Sequence, residues 1–195
     1  MTKKLLFPDL ERSPAITGTD NCTCYGMIWE TGKPLNPNNH DLSRLEFICE
    51  RRHKGKLTDF AVSDAGCPIV SKTLKDFLDN LGVDNIDYYP ATVLKKAGAE
   101  PNHDYFACNI IGMANCIDFE KSELEIEMED GEVVFINDVD TLVLNSETYG
   151  PIYRLYYYER VIVLEDPLAA ALASSGFTGM KIITPENWDG FAGEK

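Results

Sequence analysis

Hydrophobic and polar positions follow two different periods along this chain of 195 residues. In CPIVSKTLKDFLDNLGVDNI, Leu74, Phe77, Leu78 and Leu81 fall at i, i+3, i+4 and i+7, the spacing of one apolar helix face. Lys72, Lys75, Asp76 and Asp79 cover the opposite side. Ser71 stands where an N-cap would accept an orphan backbone N–H, and Gly82 where such a helix would end. Further on, the period is two. In ELEIEMEDGEVVFIN, Glu123, Glu125, Glu127 and Glu129 alternate with Leu124, Ile126 and Met128, which places the carboxylates on one face of a strand. Asp130-Gly131 favours a two-residue turn, and Val133, Val134, Phe135 and Ile136 supply the return strand.

Other apolar runs predict strands over 57–66, 86–94, 105–113, 141–145, 152–158, 160–164 and 179–185. Pro90 suggests an edge or a bend in the second of these. Leu45, Phe47 and Cys49 share one side of a segment that fits a strand or a short helix equally well. DPLAAALASSG predicts a second helix, capped by Asp166 and ended by Gly176. Residues 1–40 are broken by prolines and glycines and read as loop, with CYGMIW as their one strand. Lys96 to His103 also reads as loop, and NWDGFAGEK as a loosely attached tail. The element order predicts an α+β fold, a mixed or antiparallel sheet with hairpins and two or three short helices. It divides the chain into an N-terminal region, 1–60, an α+β domain, 61–186, and a tail, 187–195.

Charge adds direction to this pattern. The chain carries 18 basic and 32 acidic side chains, a net charge of −14. Residues 123–195 hold 15 of the acids and only 4 of the bases. A field of that sign repels nucleic acid and anionic membrane and attracts basic partners. No apolar run approaches the length of a membrane span. Leu5, Leu6 and Phe7 are too short for a signal-peptide core, so a cytoplasmic protein is expected.

Candidate chemistry is sparse. The six cysteines are expected to be reduced, with Cys67, Cys108 and Cys116 as small core residues. A zinc site from Cys22, Cys24, Cys49 and His53 is conceivable, but one residue between Cys22 and Cys24 is closer than a structural zinc pair allows. Pairing Cys67 or Cys108 with His103 would imitate a thiol nucleophile and its base. No Gly-rich phosphate loop, GxSxG or HExxH motif occurs. No metal or cofactor is therefore expected.

Three segments in order resemble one family of bacterial immunity proteins from polymorphic toxin systems, the family numbered eleven. CPIVSKTLKDFLDNLGVDNIDYYPATV is similar to its Ser-capped helix and following strand, with Ser71 in place. YFACNIIGMANCIDFEKSELE is similar to its central segment at Tyr105, Asn109, Asp118 and Ser122. IYRLYYYERVIVLEDPLAAALASSGFTGMKI is similar to its closing segment at Arg154 and Gly179, departing from it at Leu164-Glu165-Asp166-Pro167, where the family tends to place a serine. The resemblance implies a non-catalytic protein that binds and neutralises a toxin. It carries over no catalytic residue. Asn109, Asp118, Ser122 and Arg154 serve either structure or recognition.

The residues themselves leave three functions open. An inhibitor could present Glu123, Glu125, Glu127, Glu129 and Asp130 to a toxin. Carboxylates along such a strand stand about 6.5–7 Å apart, close to the phosphate spacing of a nucleic-acid strand, so a basic nuclease is the toxin they suit. A solvated face of an ordinary hairpin would look the same. A small-molecule or peptide binding module could use Tyr88, Tyr89, Tyr153 and the run Tyr156-Tyr157-Tyr158. On a strand, Tyr156 and Tyr158 would face one way and Tyr157 the other. An enzyme would need a nucleophile or metal set beside its carboxylates. Oligomeric state is not legible.

Overall fold

The computed structural model describes residues 2–23, 27–49 and 57–191. Along these run β1 (Lys3–Pro8), β2 (Ile16–Gly18), β3 (Glu46–Cys49), β4 (Phe60–Val62), β5 (Pro68–Ser71), α1 (Lys72–Asn80), β6 (Ile86–Leu94) and β7 (Pro101–Ile110). Then follow β8 (Met113–Ala114), β9 (Glu123–Glu129), β10 (Glu132–Thr141), β11 (Ile152–Leu155), β12 (Tyr158–Glu165), α2 (Asp166–Ser175) and β13 (Met180–Ile183). The fold is α+β and mostly sheet, with its strands divided among three sheets.

The largest sheet has the order β2-β3-β6-β7-β5-β4, antiparallel except for the β3–β6 pair. It curls until its edges meet. Ile16 bridges to Ser63, the Asp64 N–H donates to the Ile16 carbonyl at 3.0 Å, and the Gly18 N–H donates to Asp64 Oδ1 at 3.1 Å. Closure satisfies backbone groups that two open edges would leave unpaired. One face of these strands gathers Phe47, Cys49, Ala61, Ile69, Ala91, Val93, Tyr105 and Ala107 around Trp29. The other face, including Phe60, Val70, Cys108 and Ile110, packs with α1, α2 and the second sheet.

That second sheet runs β13-β1-β12-β11-β8. Its central strands are buried on both faces. Leu6, Ile162 and Leu164 meet the helices, while Leu5, Phe7, Val161 and Val163 meet a third cluster around Trp188. Strands covered on both sides lose polar alternation, which is why RVIVL is one apolar run. β9 and β10 form a sheet of their own. Its apolar face meets that third cluster: Ile136 and Val139 are buried in it, and Leu124 and Val133 pack against it half-buried.

Helix α1 forms as its pattern predicts. Ser71 Oγ accepts the Leu74 N–H at 3.2 Å, Leu74 and Leu78 are buried, and Gly82 follows with φ +76°. Leu81, expected on the apolar face, is exposed at the C-cap. Segment 45–49 is a strand with Leu45, Phe47 and Cys49 buried. Pro90 lies in an interior strand, but β3 pairs only with Thr92, Val93 and Leu94, so the proline occupies a stretch where β6 has one neighbour.

Several expectations are corrected. KKLLFP is not loop: β1 pairs β12 on one side and β13 on the other. Its charged end is accommodated because buried Lys3 pairs with Glu165 at 3.7 Å and donates to the Glu147 carbonyl. In CYGMIW, Met27–Glu30 forms a short 3-10 helix, and residues 24–26 lie outside the described residues. β7 begins at Pro101, so His103 sits in a strand and shares a hydrogen bond with Thr92 Oγ1 at 3.1 Å. Segment 141–145 adds only the Ile117–Leu144 bridge beyond the end of β10. Asp166 is the first helical residue of α2 rather than its cap; Glu165 holds the cap position, and its carboxylate accepts from Tyr153 Oη at 2.9 Å. Trp188, expected in a loose tail, is fully buried and stacks on Phe7 at 5.7 Å. No helix among the described residues is long and apolar enough to cross a membrane.

Candidate functional site

The hairpin β9–β10 is where chemistry is displayed. Asp130 and Gly131 close it with φ +52° and +88°, the left-handed pair that a two-residue hairpin turn requires. The register is uneven. Shifts fall between Val133 and Phe135, Ile136 and Asp138, and Val139 and Thr141, so β10 uses three residues for every two of β9. Each bulge increases the local twist and re-aims the side chains beside it. Opposed pairs share a face of a sheet. One face therefore carries Glu123–Thr141, Glu125–Asp138, Glu127–Phe135 and Glu129–Glu132. The other carries Leu124–Val139, Ile126–Ile136 and Met128–Val133.

Residues 123–141 contain eight carboxylates and neither Lys nor Arg. Glu123, Glu125, Glu127, Glu129, Asp130 and Glu132 are all exposed. The apolar face is only half covered: Ile136 and Val139 are buried, but Met128 is 56% exposed. Four of the nine large apolar side chains exposed among the described residues, namely Ile126, Met128, Val134 and Phe135, lie on this hairpin. Such clustering marks an interaction surface more strongly than scattered exposure does.

A cleft of about 420 Å³ separates β10 from the turn that joins β11 to β12. Phe135, Ile136 and Asn137 form one wall, Tyr157, Tyr158, Glu159 and Arg160 the other, and Glu30 contributes a carboxylate. Burial pushes the Glu30 carboxyl above its usual range, while Arg154 and Arg160 pull it down. Tyr156 and Tyr157 form the turn and are not strand residues, which corrects the alternation expected of the tyrosine run. Tyr157 has φ +72°, a position normally left to glycine. Its ring packs edge-on against Phe119 at 5.7 Å and Tyr156 at 4.6 Å. Tyr88 instead packs against Phe106, and Tyr89 against Trp29, so the tyrosines do not converge on one surface.

The residues quoted for the family resemblance lie elsewhere, in three groups. Ser71 Oγ donates to Asp59 Oδ1 at 2.9 Å, and Asp59 Oδ2 accepts from the Thr178 N–H and hydroxyl at 2.9 and 2.8 Å. This brings Ser71 to Gly179, whose φ of +91° and closeness to the Phe60 carbonyl leave no room for a side chain. Asn109 and Arg154 form the second group. Asn109 Nδ2 donates to the Lys33 carbonyl at 2.8 Å, and Arg154 Nη2 to the Trp29 carbonyl at 2.9 Å, so Arg154 grips the 3-10 helix and Asn109 the segment after it. Arg154 Nη1 donates to the carbonyls of Glu159 and Arg160, each at 3.2 Å. Burial lowers the Arg154 guanidinium to about 10, which leaves it a cation at neutral pH. In the third group, the Ser122 N–H donates to the Asp118 carbonyl at 2.9 Å, and Ser122 Oγ both donates to the Val143 carbonyl and accepts its N–H. Lys121 pairs with Asp118 at 2.6 Å. This turn delivers the chain into β9.

Tyr105 Oη donates to the Thr58 carbonyl at 3.0 Å. Of the cysteine and histidine constellations, Cys24 and His53 lie outside the described residues. Cys22, Cys49, Cys67, Cys108 and Cys116 are buried and unbridged, and burial raises the Cys49 thiol to about 11. Among the described residues, no group of three or more His, Cys, Asp or Glu is placed to hold a metal ion.

Sequence reasoning singled out the glutamates but not Phe135, Glu132, Asp138 or the Glu30 cleft. Four consecutive apolar residues, Val133 to Ile136, cannot all turn to one face of a regular strand, and that was the available signal for a bulge.

The hairpin thus displays an acidic face and a partly exposed apolar one. Residues 31–185 match the model of the Imm11 immunity protein family, and the chain belongs to that family. No curated protein matches the chain.

Proposed function

We propose that this protein is the cytoplasmic immunity partner of a bacterial polymorphic toxin, which it neutralises by binding and without a chemical step. Family membership supports the immunity role. The observation that carries the binding surface is the β9–β10 hairpin, with eight carboxylates, no Lys or Arg of its own and a partly exposed apolar flank. Glu123, Glu125, Glu127, Glu129 and Asp130 make the contact. Their uncompensated charge would speed encounter with a basic protein. Their spacing suits the groove of a nuclease, where carboxylates would stand in for phosphates. Ser71, Asn109, Asp118, Ser122, Arg154 and Gly179 hold the scaffold that raises this hairpin.

Co-expression tests the proposal. The toxin domain encoded beside this chain's gene should arrest growth alone and be tolerated when this protein is made with it. Continued killing despite soluble, folded protein would refute the reading.

A further inference from the structure

Phe135 is the residue whose position has no explanation within the fold. Phe135 is 55% exposed, although Ile136 beside it is buried. The bulge at Val134 places Phe135 on the acidic face, opposite Glu127. The pairs Glu125–Asp138 and Glu129–Glu132 flank it along the same face. An aromatic ring is thus flanked by carboxylates along its own face, and it borders the Tyr157 cleft, whose far wall carries Glu159 and Arg160.

This arrangement selects its occupant. An apolar group laid on the ring would take neighbouring carboxylates out of water without pairing them, which is costly. A lysine ammonium could pair with the carboxylates but is compact and strongly hydrated. A guanidinium has a flat, weakly hydrated face for the ring and a fork of N–H donors for carboxylates. We infer that Phe135 and its flanking carboxylates form a site for an arginine side chain of the toxin, stacked on the ring and hydrogen-bonded to Glu125, Glu127 and Asp138. The inference rests on the reading of this hairpin as the toxin-facing surface and adds the chemistry of the residue it receives. Aromatic anchors ringed by polar contacts are a common centre of binding energy in protein interfaces.

Two synthetic peptides, Ac-Gly-Arg-Gly-Arg-Gly-amide and its lysine counterpart, test the site at low ionic strength by NMR titration. The wild-type protein should prefer the arginine peptide about two- to fivefold, the range an exposed cation–π contact supports. Ring-current shifts should appear on the arginine side-chain protons. Phe135→Leu should erase the preference while leaving lysine-peptide binding in place, and Phe135→Trp should keep or enlarge it. Replacing Glu123, Glu125, Glu127 and Glu129 by Gln should weaken both peptides. No preference in the wild type, or a preference that survives Phe135→Leu, overturns the inference. Unchanged binding of both peptides by the four-Gln variant overturns the hairpin reading beneath it.

Discussion

The hairpin and the seam between the two large sheets obey opposite rules. At the seam, polar side chains are few and hold backbone: Arg154 spends its Nη donors on three carbonyls and Asn109 Nδ2 holds a fourth. On the hairpin, carboxylates are many, and only Glu123 and Asp138 accept internal hydrogen bonds among the eight, from Thr141 Oγ1 and the Val139 N–H. A buried group left unpaired costs stability, so the seam restricts residue choice. An exposed carboxylate remains hydrated, so the fold places little restriction on residue choice along the hairpin. Of the residues that carry the family resemblance, Asn109 and Arg154 lie in the restricted region, and Asp118 and Ser122 in the turn that leads into β9. The surface proposed for recognition is the unrestricted one.

The comparison breaks most visibly at Gly179. A Cβ there would lie 2.1 Å from the Phe60 carbonyl oxygen at φ +91°. Gly179→Ala should cost more than about 4 kcal/mol, read as a lowered urea midpoint or as loss of folded protein. Arg154→Met should cost about 3 kcal/mol by leaving buried carbonyls unpaired. Arg154→Lys should recover little of it, because one ammonium cannot reproduce the fork.

A pH titration separates the regions without mutation. Tyr105 is buried, and its hydroxyl is raised from 10.0 to about 12; Tyr88 and Tyr153 are also raised by burial. Each stays protonated in the folded state where the unfolded chain ionises. Their contribution is complete below pH 10 and is lost as pH rises through the folded values. For Tyr105, denaturation midpoints should fall between about pH 10 and 12, and Tyr105→Phe should flatten that fall. The hairpin contains no tyrosine. The smallest effect belongs there: the four-Gln variant should match wild-type stability within about 0.5 kcal/mol.

What could be read in the sequence followed the same division. Helix α1 and the glutamate alternation were legible because one period and one cap or turn determine each locally. β1 was not, because Leu5-Leu6-Phe7 is a short run before Pro8 and becomes a strand only through β12 and β13, far away in sequence. The tyrosine run resembled a strand, since nothing local foretells a turn with Tyr157 in the left-handed region. The glutamate face was visible, but its neighbours were not. Bulges in β10 decide that Phe135 joins it, and register depends on pairing rather than on composition.

The central claim, that the acidic hairpin steers this protein onto its toxin, is tested most directly by the association rate across ionic strength. The toxin domain encoded beside the gene would be mixed by stopped flow with wild-type protein and with the variant carrying Gln at 123, 125, 127 and 129. The account predicts a wild-type rate that falls steeply with added salt, and a variant at least about tenfold slower at low salt with a shallow dependence. Equal rates with equal salt slopes would contradict it.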